Sequence, residues 1–399
     1  MKRYLSLYVH IPFCAVKCKY CDFLSFDGES YGTMLRYVDS LCQEIKLYKP
    51  IAEDYVVRTI FIGGGTPSLL DEDLITNIMA FIKRTFKVKK DAEITIEANP
   101  GTLRHQKLLG YKAAGINRIS IGLQSADDEI LKRLGRIHNF DQFVASYNAA
   151  RRAGFDNINI DIMSGLPGQS IHSYVDTLSR VLDYEPEHIS AYSLQIEEGT
   201  PFADNPDILE MLPPELIDRQ MYSITKKLLS ASGYDRYEFS SYARTGYECK
   251  HNMVYWTGGE YLGFGLGASS YFQGKRFNNI KCIGDYLQIM EAVGEKYAEA
   301  DNMELLYNET VRKLRENITP IYIDSRMEEF MFLGLRMTCG VSREDFLERF
   351  KKDIYEVYAP VLNKYISEGY MATDGDRIFL TDMGIDVSNV ILADFLFDR

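Results

Sequence analysis

Six short runs in the first two hundred residues are each rich in Ile, Val, Tyr or Phe: Tyr4–His10 (YLSLYVH), Thr59–Ile62 (TIFI), Glu93–Glu97 (EITIE), Arg118–Ile121 (RISI), Asn157–Ile162 (NINIDI) and His188–Leu194 (HISAYSL). Runs of this kind predict strands. Between them apolar residues recur at helical spacing. In Asp71–Thr85, Leu74, Ile78, Phe81 and Ile82 share one face, and Asp71 or Asp73 is placed to start the helix. Alternating strand and helix predicts a parallel sheet joined by right-handed crossovers. Six such units make an α/β fold that curls into a partial (β/α)6 barrel, with ligands expected at the C-terminal ends of the strands.

The pattern changes after Tyr234. Gly258, Gly259, Gly263, Gly265 and Gly267 crowd among aromatics in TGGEYLGFGLGASSYF, the chemistry of loops and short strands. Helical periodicity returns over Ser325–Cys339, Ser342–Arg349 and Ile354–Gly369, followed by a short β-like return at Arg377–Thr381 and a last apolar segment, Val387–Phe397. This order predicts a winged-helix-like α+β domain. The expected organisation is therefore a barrel over residues 1–234, a Gly/aromatic segment over 235–301, a linker or insertion over 302–322, and a C-terminal domain over 323–399.

Composition narrows the function. At 399 residues with 46% apolar and 26% charged positions, the chain is an ordinary globular one. Its net charge of −12 lacks the basic footprint of a nucleic-acid binder. No apolar run is long enough to span a membrane, and MKRYLSLYVHIPFC lacks the features of a signal peptide. A cytoplasmic location is expected. Seven cysteines, sparse outside one cluster, do not form a disulfide framework in a chain this long.

That cluster is Cys14-x3-Cys18-x2-Cys21, directly after the first predicted strand. Three thiolates on one loop fit an iron–sulfur cluster or zinc. Iron–sulfur is favoured, because zinc sites usually pair a second C-x2-C or two histidines with the first, and neither lies nearby. A cubane held by three thiolates leaves one iron open to a small molecule.

The triplet, with the aromatic Tyr20 just before its third cysteine, resembles the radical S-adenosylmethionine superfamily. In that family the open iron of a 4Fe-4S cluster is chelated by the methionine moiety of S-adenosylmethionine, and radical chemistry follows. The resemblance assigns further positions. Gly64, Gly65 and Thr66, in GGGTP after the second strand, match the methionine-binding motif. Glu97 in IEANP would hold the ligand's amino group and Arg136 in LGRIH its carboxylate. Gln124 in GLQS and Asp161 in IDIMSGLPGQ would hold the ribose hydroxyls, and Tyr8 and Tyr20 would line the pocket. An electron donor for the cluster is implied.

LSLYVHIPFC, FIGGGTPS, IEANP, ISIGLQS, LGRIH and IDIMSGLPGQ, in this order, are similar to the oxygen-independent coproporphyrinogen III dehydrogenase subfamily. The authentic dehydrogenases carry a further cysteine two residues after the third; here that position is Phe23. Their long N-terminal extension is also missing, with seven residues before Tyr8. Instead His251-Asn252-Met253-Val254-Tyr255-Trp256 resembles the HNxxYW motif of HemW-type heme chaperones, paralogues that bind heme and pass it to acceptor proteins. A neutral imidazole suits heme iron, and flat aromatic faces suit a porphyrin. The resemblance thus implies heme binding through His251, Tyr255 and Trp256, with heme-acceptor proteins as partners; a homodimer is compatible. The alternative is an oxygen-independent coproporphyrinogen III dehydrogenase or another radical enzyme acting on a tetrapyrrole, since every cofactor motif is kept.

Overall fold

The computed structural model describes residues 3–297 and 309–397. All six predicted strands form: β1 (Arg3–Ile11), β2 (Tyr55–Gly64), β3 (Val88–Ala98), β4 (Arg118–Gln124), β5 (Ile158–Ser164) and β6 (His188–Ser193). They pair in parallel in that order. One face of the sheet is apolar. Leu7, Ile60, Ile96, Ile121, Ile160 and Ile189 on it are fully buried under the crossover helices. Among these helices are α1 (Tyr31–Lys46) and α2 (Glu72–Thr85). The face that α2 buries is rotated slightly from expectation. Ile75 and Met79 lie deepest with Ile78 and Ile82, while Leu74 and Phe81 are half-buried at the margin. An amphipathic stripe is wider than one row of residues, so its centre is set by what it packs on.

The Gly/aromatic segment is not a separate unit. Its first strands, β7 (Asp235–Arg236) and β8 (Ser241–Ala243), extend the sheet antiparallel beyond β6. Its later strand β9 (Tyr261–Phe264) crosses to the opposite edge and pairs in parallel with β1, placing Leu262 beside Leu7. β10 (Ser269–Phe272) and β11 (Lys275–Asn279) continue that edge. The expected linker over 302–322 also does not hold where the structure describes it. Residues 309–312 form a short helix and Arg315–Pro320 forms β12, the last strand on this edge, paired with β11. The side chains of β12 are nearly all exposed, so it shows no alternation by which a strand could be predicted. Residues 302–308 lie outside the described residues.

Between the two edges the chain runs through α3 (Lys250–Trp256), the helix that carries HNMVYW. It lies inside the curve of the sheet, against Thr59 and Glu93. The C-terminal domain has the predicted helix–helix–helix–hairpin order. Ile323–Gly334, Arg343–Phe350 and Ile354–Ser367 precede a hairpin of Met371–Asp374 and Arg377–Leu380, around its own core.

Candidate functional site

The concave face of the sheet is polar. Arg118 and Ser120 on β4, Asn159 and Asp161 on β5, and Ser190 and Tyr192 on β6 line a cavity of about 220 Å³. Above it, at the C-terminal ends of the strands, a second pocket of about 390 Å³ is lined by Cys14, Cys18, Cys21, Gly65, Gln124 and Arg136. The two share Phe23, Gly64, Glu97, Ser120, Asp161 and Tyr192, so they form one continuous space.

All three thiols are free and partly exposed to the upper pocket. No three His, Cys, Asp or Glu side chains among the described residues converge on the geometry of a single metal ion. Three soft thiolates on one loop, all facing one pocket, are a donor set that fits an iron–sulfur cluster. Burial raises the Cys14 and Cys21 thiols above their ordinary range, with the Thr66 hydroxyl opposing the shift at Cys14. Thr66 Oγ1 donates to Cys14 Sγ at 3.6 Å, and Arg136 Nη1 to Cys18 Sγ at 3.5 Å.

The loop is held from beneath. His10 Nε2–H donates to the Leu24 carbonyl at 2.8 Å, which leaves Nδ1 to accept from the Tyr8 hydroxyl at 2.9 Å. Gly65 passes so close that a Cβ would lie 2.8 Å from the Phe13 carbonyl oxygen and 3.0 Å from Cys14 Sγ. At Gly64 the backbone has φ +116°, and its N–H donates to Glu97 Oε2 at 3.0 Å.

The positions assigned by resemblance to the cofactor thus share one space. Tyr20, Gly65, Thr66, Gln124 and Arg136 line the upper pocket, Tyr8 the lower cavity, and Gly64, Glu97 and Asp161 both. Their chemistry fits a zwitterionic amino-acid ligand. Arg136 is anchored by Nη2 on the Gly122 carbonyl at 2.6 Å, while its buried Nε has no hydrogen-bond partner among the described residues. Asp161 accepts from Ser120 Oγ and Asn159 Nδ2, each at 2.8 Å. Gln124 sits on a strand irregularity with φ +70°, which re-aims the chain at the pocket.

α3 closes the base of the cavity. Glu93 accepts from the backbone N–H groups of Lys250 and His251, each at 3.0 Å, so a buried carboxylate holds the helix N-terminus. The imidazole of His251 is buried and engaged at both nitrogens. Thr59 Oγ1 donates to Ser6 Oγ at 2.7 Å, so it accepts from His251 Nδ1–H at 2.8 Å; Nε2 then accepts from the Tyr255 hydroxyl at 2.8 Å. The ring packs on Phe61 with centroids 5.2 Å apart. Burial, with Arg118 nearby, drives its pKa down to about 3, so the ring is neutral at physiological pH. Tyr255 shares the cavity, whereas Trp256 does not line it. Trp256 packs outside, under the Arg336 guanidinium at 4.4 Å, on the C-terminal domain.

Comparison with known proteins follows the same division. The Radical SAM superfamily model matches residues 8–181, and the HemN C-terminal domain model residues 324–387. The heme chaperone HemW of Bacillus subtilis is 34% identical over 98% of this chain and 99% of its own. That of Haemophilus influenzae is 41% identical over 99% of this chain and 98% of its own. The chain belongs to the HemW family. Its fold is also that of coproporphyrinogen III oxidase (HemN) from Escherichia coli, a radical SAM enzyme. That structure is 25% identical, with a TM-score of 0.81 over 99% of this chain and 90% of the other.

In this HemW-family chain, sequence reasoning misses the lower cavity. No motif gives Arg118, Ser120, Asn159 or Ser190 a role, and the one signal for them is the alternation of RISI, NINIDI and HISAY. Glu97 has the sharpest electrostatics there. Burial, then repulsion from Asp161, raises its pKa to about 8. The folded chain therefore keeps a proton that the unfolded chain releases near pH 4.5. A destabilising contribution is absent below that pH, grows as pH rises, and is complete above about 8. Glu97→Gln removes it. The variant is expected to gain a few kcal/mol on wild type between pH 5 and pH 8; parallel denaturant titrations that show a constant difference would contradict this.

Proposed function

We propose that this chain is a heme carrier that binds heme and hands it to acceptor proteins, with a 4Fe-4S cluster and exchangeable S-adenosylmethionine in its barrel. The observation that carries this is similarity to HemW heme chaperones along nearly the whole chain, the HNMVYW helix included. The position of a further dehydrogenase cysteine is held by Phe23, which is 64% exposed at the mouth of the pocket.

When bound, the cluster and its sulfonium ligand supply one-electron chemistry. Cys14, Cys18 and Cys21 hold the cluster. Arg136, fixed between Cys18 and the Gly122 carbonyl, pairs with the ligand's carboxylate. Glu97 takes its ammonium group, which offsets the cost of ionising that buried carboxylate. Gly64, Gly65 and Thr66 let the backbone approach, and Gln124 and Asp161 take ribose hydroxyls. Tyr8 and Tyr20 wall the pocket. The heme site lies on the α3 segment. Among the described residues no helix is long and apolar enough to cross a membrane. The carrier works in the cytoplasm and takes electrons for its cluster from a donor.

A hemin titration of anaerobically purified protein tests the reading. Saturation near one heme per chain, followed by transfer to apomyoglobin, is expected. Unsaturable binding, or no transfer, would reject the carrier. The intact cofactor pocket and the HemN-like fold favour one second reading, a radical enzyme acting on a tetrapyrrole. Turnover of coproporphyrinogen III would establish it.

A further inference from the structure

Each of the three clustered cysteine sulfurs receives a hydrogen bond. Arg136 Nη1 donates to Cys18, the Phe23 backbone N–H to Cys21, and the Thr66 hydroxyl to Cys14 at 3.6 Å. The first two protons have directions set by a guanidinium plane and a peptide plane. A hydroxyl proton rotates, so a neighbour must aim it. Ser25 also lies beside Cys14, but its hydroxyl donates to the Phe23 carbonyl at 3.2 Å.

Asn99 is that neighbour. It follows the C-terminal end of β3 and lines the upper pocket. Its Nδ2 donates to Thr66 Oγ1 at 2.9 Å, which occupies the accepting side of the oxygen and turns the hydroxyl proton towards Cys14 Sγ. The opposite placement of the amide would reverse the chain, with Thr66 donating to Asn99. The surroundings of Gly122 decide between the two. Arg136 Nη2, Gln124 Nε2 and Asn99 Oδ1 lie 2.7, 2.9 and 3.2 Å from the point where a Gly122 Cβ would stand. The amide oxygen thus faces two N–H donors, and the amide nitrogen is left for Thr66. The backbone of Asn99 is fixed as well. Its N–H donates to Ser68 Oγ at 3.2 Å, and its carbonyl accepts from Thr102 Oγ1 at 2.7 Å.

We propose that Asn99 is a positioning residue that sets the reduction potential of the cluster, acting through Thr66 on Cys14. The proposal rests on the cluster reading and deepens it. A donor to a ligating sulfur draws electron density from it and favours the reduced cluster over the oxidised one. Thr66 is 4% exposed, so its dipole acts in surroundings that screen it weakly. The chain from Asn99 therefore raises the potential and brings the cluster within reach of a weaker one-electron donor.

The test is a potentiometric titration of the full chain with its cluster reconstituted, without S-adenosylmethionine, following the paramagnetic signal of the reduced cluster. Wild type is compared with Asn99→Leu, which nearly keeps the volume and removes the donor, with Thr66→Val, which removes the hydroxyl, and with the double variant. Each single variant is expected to hold about tenfold less reduced cluster at a fixed potential, a downward shift of about 59 mV for one electron, at unchanged iron content. The double variant is expected to match the singles, because both changes act on one hydrogen bond. Thr66→Ser, which keeps the hydroxyl, should stay close to wild type. A wild-type potential in Asn99→Leu, or shifts that add in the double variant, would overturn the proposal and leave the cluster standing. So would loss of iron from either single variant, which would make the pair a scaffold for the loop. A wild type that takes up no reducible cluster overturns both readings.

Discussion

Cys14→Ser, purified without oxygen, is expected to carry less than about a tenth of the wild-type iron and to lose the broad visible absorption of the cluster. The reason lies in the loop as well as in the lost sulfur. Cys14 closes the two-residue strand Phe13–Cys14, which pairs with Phe26–Asp27. Its sulfur faces Gly65 and the Thr66 hydroxyl. A serine oxygen keeps the hydrogen bond from Thr66 but is a hard, weakly acidic donor that iron in a sulfide cluster does not hold. The backbone should survive, since nothing in the apolar core depends on the sulfur. Unchanged far-ultraviolet circular dichroism beside lost iron is the expected pair of results. Full iron content in the variant would remove the triplet as the cluster site.

Glu44→Ala is expected to destabilise the fold by about 3–5 kcal/mol, read as a shift of the denaturant midpoint at unchanged slope. Glu44 is a buried carboxylate in the last turn of α1, where no sequence signal marks it. Its two oxygens accept from Gly265 N at 2.8 Å, Asn279 Nδ2 at 2.6 Å and Tyr286 Oη at 2.7 Å. Burial pushes its pKa up while these three donors hold it down. Truncation leaves the donors buried without an acceptor and opens a cavity beneath them. Glu44→Gln, which keeps one acceptor oxygen and the volume, should lose clearly less. Equal stability of all three proteins would show that the donors find other partners.

These two residues mark the limits of reading the chain from its sequence. The cysteines were legible because a triplet so closely spaced rarely arises by chance in a chain with seven cysteines. The six parallel strands were legible because β-rich runs alternate with helical ones. Glu44 was not legible, because one acid in an amphipathic helix normally faces water. β9 was hidden for a related reason. It is four residues long, lies among glycines, and its partner β1 is at the far end of the sequence. The polar lining of the barrel was visible as alternation at Arg118/Ser120 and Asn159/Asp161, but polarity turned inward inverts the usual assignment of strand faces. His251 shows the same inversion on a helix. Its motif was recognisable, yet only the structure shows that the ring points into the barrel and is held at both nitrogens.

The pairing of β9 with β1 also sets an order of events during synthesis. The strand that leads into the cysteine loop is finished only when Leu262 arrives beside Leu7. Just beyond, Leu266 N–H donates to the Tyr37 hydroxyl, which itself donates to the His10 carbonyl at the end of β1. A nascent chain still short of these residues leaves the ribosome with β1 open along one side and its cysteines untethered. Assembly of the proposed cluster therefore belongs after residue 262 has emerged and settled beside β1. A ribosome stalled between the third cysteine and residue 261 would expose thiols to oxygen with no barrel to protect them.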